Sequence, residues 1–184
     1  MKNNNIEKIN EIEIIKEEKP NLFKKIFIII LGIFLIILAI TYLSSNSLVN
    51  NILIGLIQSN KVENSIVNIN STNKLIFLND SYEKLLKIYD NNSEREFKTC
   101  FKGKIDKGDY IIKEIYIPKT YSQTSNEVVS EFCSNDTIVD MHSHPLKHCI
   151  PSEQDFKSFK LFKEKSNNAI MAVMCERERF NFYI

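Results

Sequence analysis

The chain has 184 residues, a formal net charge of +1 and 26% charged residues. That length allows one domain of ordinary size and little more, and the charge balance excludes a nucleic-acid binder that works through bulk positive charge. Four Gly and four Pro are too few for a collagenous or Pro/Gly-rich low-complexity chain. Asn, Ile and Lys are abundant and Arg occurs only at 95, 177 and 179; we read this as coding bias, so Lys richness carries no functional weight. The four Cys have no C-x-x-C spacing, which argues against a Cys-only zinc site or a thioredoxin-type motif, and an even count permits two disulfides without demanding them.

Residues 1–23 form a polar tail with Lys and Glu interleaved. Ile9, Ile12 and Ile15 fall at helical spacing, as in a solvated, partly helical segment. Ile26 to Leu43 is an uncharged run of Ile, Leu and Phe, and no charge appears before Lys61. With Lys24 and Lys25 snorkelling at its start, the run predicts a transmembrane helix over 24–44. It is longer than a signal-peptide apolar region, and no small-residue cleavage pattern follows it. Six Lys precede the run (Lys2, Lys8, Lys16, Lys19, Lys24, Lys25) and none follows for 17 residues. The positive-inside rule therefore predicts a cytoplasmic N-terminus and an extracytoplasmic remainder. Residues 45–72 read as a juxtamembrane linker, with an interfacial helix or stalk around Ile52–Ile57.

From residue 61 onward 18 basic and 18 acidic residues balance. The pattern predicts a strand at Lys74–Leu78, a helix at Ser81–Tyr89, and strands at Glu96–Ile105 and Tyr110–Ile117. Lys107-Gly108-Asp109 is the turn between these two strands, and Pro118 ends the second. Residues 119–136 read as a long polar loop or short helix. Thr137–Met141 is a strand, Ser152–Lys165 a helix with a core stripe of Phe156, Phe159 and Phe162, and Ala169–Cys175 and Arg179–Ile184 are closing strands. The class is α+β, a mixed sheet flanked by helices.

One stretch carries chemistry: Asp140-Met141-His142-Ser143-His144-Pro145, followed by Ser152-Glu153-Gln154-Asp155. His142 and His144 at a strand end project to the same side by period-two alternation. With Asp155, in the first turn of the next helix, they make a set of two His and one carboxylate suited to zinc with one open position. Taken alone, Ser152-x-x-Asp155 is a capping-box signal for a helix start. All three His of the chain lie between 142 and 148.

The H-x-H-P segment, the ten residues between His144 and Asp155, and the S-x-x-D step resemble the motif of the JAMM (MPN+ or JAB) zinc metalloproteases. The resemblance covers about residues 73–184 and implies their cytidine-deaminase-like fold. It implies Zn²⁺ held by His142, His144 and Asp155, with Ser152 assisting at the oxyanion. It also implies a catalytic Glu seven residues before a Gly; Glu96 and Gly103 match that spacing, with Glu94 as the alternative. The implied activity is hydrolysis of an amide or isopeptide bond in a protein or peptide, ubiquitin-like conjugates being the family's common substrates. A non-catalytic MPN-type scaffold tethered to the membrane is the rival reading. Metallo-β-lactamase, amidohydrolase, H-E-x-x-H and deaminase patterns fit worse or are absent. His148 is expected to be solvent-exposed or to pack the loop rather than bind metal. With the domain outside, a Cys133–Cys149 bridge would pin the metal loop, and Cys100 and Cys175 are expected as buried thiols.

Overall fold

A computed structural model describes residues 21–145 and 148–184; the tail of residues 1–20, with its helical-spacing Ile residues, lies outside them. The chain divides into two compact units, residues 1–42 and 43–184. The first holds most of α1 (Leu22–Ser45), a helix with no buried residue whose most apolar 18-residue stretch has a mean hydropathy of 3.1. At 1.5 Å per residue its 24 residues span about 36 Å, enough to cross a hydrocarbon core. A helix of this kind serves equally as a membrane span or as a signal sequence.

The second unit begins with α2 (Ser47–Gln58) and then builds a mixed sheet of eight strands. In chain order these are β1 (Asn60–Lys61), β2 (Ile66–Asn68), β3 (Lys74–Phe77), β4 (Lys98–Asp106), β5 (Asp109–Tyr116), β8 (Thr137–Ser143), β9 (Ile170–Glu176) and β10 (Arg179–Tyr183). Their spatial order is β1-β10-β9-β8-β4-β5-β3-β2. β3 pairs β5 and β8 pairs β9 in parallel, and the other neighbours are antiparallel. The sheet thus reaches back into 60–68, where the sequence suggested only linker. Those strands are two and three residues long, too short for a periodic pattern.

Two helices cover the sheet. α3 (Ser81–Asn91) puts Leu85 and Ile88 onto one face, with Phe77, Phe101, Ile112, Val139, Met141 and Phe180 among the core it joins. α4 (Glu153–Lys163) packs Phe159 and Phe162 on the opposite face against Met171 and the Cys100–Cys133 pair. Phe156 departs from the expected core stripe: it is 46% exposed and makes an edge-to-face pair with Tyr183, with ring centroids 5.5 Å apart. It sits in the first turn of α4, outside the apolar cluster that Phe159 and Phe162 join.

Gly103 marks a bulge between β4 and β5, where a Cβ would lie 1.9 Å from the Ile111 carbonyl oxygen. Only a residue without a side chain admits that approach. Gly108 turns the hairpin at φ +95°. The segment read as loop or short helix is instead a separate hairpin, β6 (Thr120–Gln123) and β7 (Val128–Ser130). Its strands are short and face water, so no buried stripe announced them.

Candidate metal centre

β8 lies inside the sheet, between β4 and β9, and its alternation sorts its side chains. Val139 and Met141 enter the α3-side core, while Asp140 and His142 face the α4 side. His144 follows the strand directly, its amide donating to the Met174 carbonyl at 3.0 Å. The His142 and His144 rings come within 4.9 Å, as the alternation requires, and both are buried. His144 Nδ1 stands 2.7 Å from the His148 carbonyl oxygen. A carbonyl only accepts, so Nδ1 carries the proton and Nε2 keeps its lone pair. His142 Nε2 is buried and has no hydrogen-bond partner.

Asp155 arrives from the start of α4. Ser152 is the N-cap: its Oγ accepts from the Asp155 amide at 3.2 Å, and Asp155 Oδ2 accepts from the Ser152 amide and hydroxyl, both at 2.7 Å. The capping box is therefore formed, and it aims the same carboxylate at the histidines. Asp155 Oδ2 is 3.5 Å from His142 Nε2 and 3.8 Å from His144 Nε2; the first contact is electrostatic rather than a hydrogen bond, given the orphan status of that nitrogen. One ligand atom from each of the three residues lies within 4.8 Å of the others.

These environments push the groups apart in acidity. Burial, then the neighbouring His142, lowers His144 to about 4, so its ring is neutral at pH 7. Burial alone would raise Asp155, but His142 and the Ser152 hydroxyl and amide outweigh it and hold the carboxyl well below the usual range. A neutral imidazole at His144, a firmly ionised Asp155 carboxylate and a His142 nitrogen buried without a partner suit a three-ligand metal site.

Glu96 lies two residues before β4 rather than on it, and its strand expectation is corrected accordingly. Its amide donates to the Thr124 carbonyl at 2.8 Å, tying it to the β6–β7 hairpin. Next to it, the Phe97 amide donates to Ser143 Oγ at 3.0 Å and the Ser143 amide to the Phe97 carbonyl at 2.9 Å. Ser143, the middle residue of H-x-H, thus stitches Glu96 beside the histidines. Glu96 Oε1 reaches 3.6 Å from His144 Nε2, and burial, offset by His142 and reinforced by Asp155 and Glu127, raises its carboxyl to about 7. Glu94, the alternative, is exposed.

All five residues line one pocket of about 860 Å³. Sequence reasoning missed its other walls. The β6–β7 hairpin borders it, and Gln154 Nε2 donates to Glu127 Oε1 at 3.1 Å to join hairpin and helix. Lys98 Nζ donates to Asp140 Oδ2 at 3.0 Å, a nearly buried pair deep in the pocket. The only signal for it was Lys98 and Asp140 sharing a face with His142, legible once β4 is paired with β8.

The disulfides also differ from expectation. Cys149 bonds Cys175 and Cys133 bonds Cys100, so there is no Cys133–Cys149 bridge and no free thiol. The metal loop is pinned to β9 instead. The Cys149 carbonyl accepts from the Tyr183 hydroxyl at 3.0 Å, and burial pushes that phenol up to about 12, keeping it a donor. His148 packs the loop as expected: its ring stacks on His144 at 5.5 Å. No protein-family model matches this chain, and no curated protein sequence matches it.

Proposed function

We propose that the chain is a membrane-anchored zinc hydrolase of the JAMM type, cutting an amide or isopeptide bond in a protein or peptide. The observation that carries this reading is convergence. Three metal donors from two elements, a buried carboxylate with its acidity near neutral, and a serine hydroxyl open on one pocket. The mixed sheet with α3 on one face and α4 on the other suits a JAMM-like fold.

His142, His144 and Asp155 hold the ion. Zinc, when bound, supplies Lewis acidity that makes water a nucleophile at neutral pH and polarises the scissile carbonyl. Glu96 takes the proton from the attacking water and delivers it to the leaving amine, a two-way role that a carboxyl near 7 performs well. The Ser152 hydroxyl donates to Asp155 Oδ2 in this structure, and would turn that proton to the oxyanion once the metal takes the carboxylate oxygen. The imidazole of His144 keeps its tautomer through the His148 carbonyl and so offers the same nitrogen throughout.

The anchor reading rests on α1, and the outward orientation on the six Lys that precede it. Two disulfides suit an oxidising compartment and support the same orientation. Protease added to right-side-out vesicles then digests the domain and spares the tail; cleavage of the tail with survival of 142–155 inverts it.

The test of function is zinc content together with cleavage profiling on the full-length protein. The expected result is close to one zinc per chain and a proteolytic activity that Glu96→Gln reduces at least ~100-fold without loss of zinc. Below ~0.2 zinc per chain after mild purification, the non-catalytic scaffold replaces this reading. Unchanged turnover in Glu96→Gln removes Glu96 from it.

A further inference from the structure

α2 has two faces of different fate. Toward the domain, a Cβ on Gly55 would lie 2.9 Å from Cys149 Cβ, so the helix packs directly on the metal loop, and Ile52 lines the candidate pocket. Arg179 Nη1 donates to the carbonyls of Leu56 and Ser59 at 3.4 and 3.3 Å, closing the helix C-terminus. Away from the domain, Asn50, Leu53 and Ile57 form an exposed stripe at i, i+3 and i+7, with Leu53 51% and Ile57 82% exposed.

We infer that this outward stripe of α2 rests on the surface of the bilayer, beside the end of the apolar helix α1. The inference rests on the membrane-span reading of α1 given above. Three observations carry it. A single residue, Asn46, separates the two helices. At 3.8 Å per Cα step, Ser47 therefore starts within about 8 Å of Ser45, which is the depth of one interfacial layer. No charged residue occurs from Ile26 to Asn60, so nothing on α2 opposes partial burial among headgroups. The exposed side chains are large and apolar, flanked by Asn, a composition that suits the boundary between headgroups and acyl chains. Because α2 carries no Lys or Arg, its docking is apolar and independent of anionic lipid or salt, unlike that of a basic amphipathic helix.

The chain contains no Trp, so one introduced Trp is a unique reporter. Full-length Ile57→Trp, with Leu53→Trp as a second variant on the same face, is reconstituted in phosphatidylcholine vesicles brominated near the headgroups or deep in the chains. Phe34→Trp in α1 reports the span, and Ile184→Trp, 74% exposed, reports solvent. The expected result is that shallow bromine removes about half or more of the emission of Ile57→Trp or Leu53→Trp and deep bromine less. Phe34→Trp shows the reverse order, Ile184→Trp is unaffected, and salt changes nothing. Quenching of the α2 reporters by aqueous iodide but not by lipid, with Phe34→Trp still quenched by deep bromine, overturns the inference and leaves the span standing. Loss of lipid quenching at Phe34→Trp as well overturns both. Protection from iodide and bromine that disappears when the protein is diluted into excess lipid assigns the face to a second copy, which also overturns it.

Discussion

Met141 and His142 are neighbours on β8, 0% and 6% exposed, and they face opposite sides of the same sheet. Met141 meets α3 through an apolar cluster in which every contact favours the folded state. His142 is equally hidden, yet its Nε2 has no partner and its neighbours are a second imidazole and a carboxylate. Burial is thus used twice, once to stabilise and once to hold polar groups in an arrangement that costs stability unless something binds them. A fold can carry such a face because the other one is dense and continuous.

The largest effect separates the two faces directly. His142→Ala, His144→Ala or Asp155→Ala lowers zinc affinity at least ~100-fold, since a site with two protein ligands is poor. The zinc-free His142→Ala protein loses less stability in urea than Met141→Ala does, because removal of the orphaned buried nitrogen offsets the lost contact with Asp155. Met141→Ala does the opposite, losing about 2–5 kcal/mol of stability while the folded fraction still binds zinc. Equilibrium dialysis with metal analysis, beside urea unfolding, checks both. A His142→Ala protein that unfolds while keeping its metal breaks the comparison.

Next comes pH. In zinc-free protein Glu96 holds its proton up to about 7 against an ordinary 4.5, so the stability it contributes is present below 4.5 and is lost as pH rises through 7. That loss is at most about 3 kcal/mol. His144, lowered from 6.5 to about 4, works the other way, and stability from it is lost as pH falls through that window. The wild-type profile is therefore flattened by two opposed groups. Glu96→Gln removes one of them, and its urea midpoint rises with pH between about 4 and 7 more steeply than wild type. Parallel profiles for the two proteins refute the assignment of Glu96 to this buried position.

The two disulfides sharpen the same contrast. Cys149–Cys175 closes across 26 residues and holds the loop between His144 and Asp155; Cys100–Cys133 spans 33 and holds the segment beyond the β6–β7 hairpin. Replacing either pair by Ser costs about 2–4 kcal/mol. Only the Cys149–Cys175 replacement also weakens zinc binding, by about tenfold, as for loss of a support around a ligand. Equal zinc loss from both replacements removes the special standing of the metal loop.

What was legible in the sequence was local. His142, Ser143, His144, Ser152 and Asp155 lie within 14 residues, and strand alternation plus a capping box brings them together without long-range information. The Glu96 position was reachable only through a spacing to Gly103, and the reason for that Gly, a bulge against Ile111, is a tertiary fact. Pairing of four Cys has three solutions that sequence alone does not distinguish; a Cys133–Cys149 bridge with two free thiols was expected, and Cys100–Cys133 and Cys149–Cys175 formed. The β6–β7 hairpin carries no apolar alternation because its strands are short and mostly wet. The Lys98–Asp140 pair required knowing that β4 lies beside β8 across more than 40 residues.

The smallest effect concerns His148, whose ring is near the donors without belonging to them. It stacks on His144 at an interplanar angle of 12°, while the atom that matters to His144 is the backbone carbonyl, 2.7 Å from Nδ1. A side-chain truncation keeps that carbonyl, so the His144 tautomer and its free Nε2 survive. His148 Nε2 is itself buried without a partner, so its removal relieves one unsatisfied group while losing one ring contact. The two changes oppose each other, and His148→Ala is expected to change zinc affinity less than about threefold and stability less than about 1 kcal/mol. Competition against a chelator of known affinity measures the first and urea unfolding the second. A 100-fold loss of zinc in His148→Ala, with Asp155→Ala unaffected, replaces Asp155 by His148 in the ligand set and moves the metal away from α4 toward the loop.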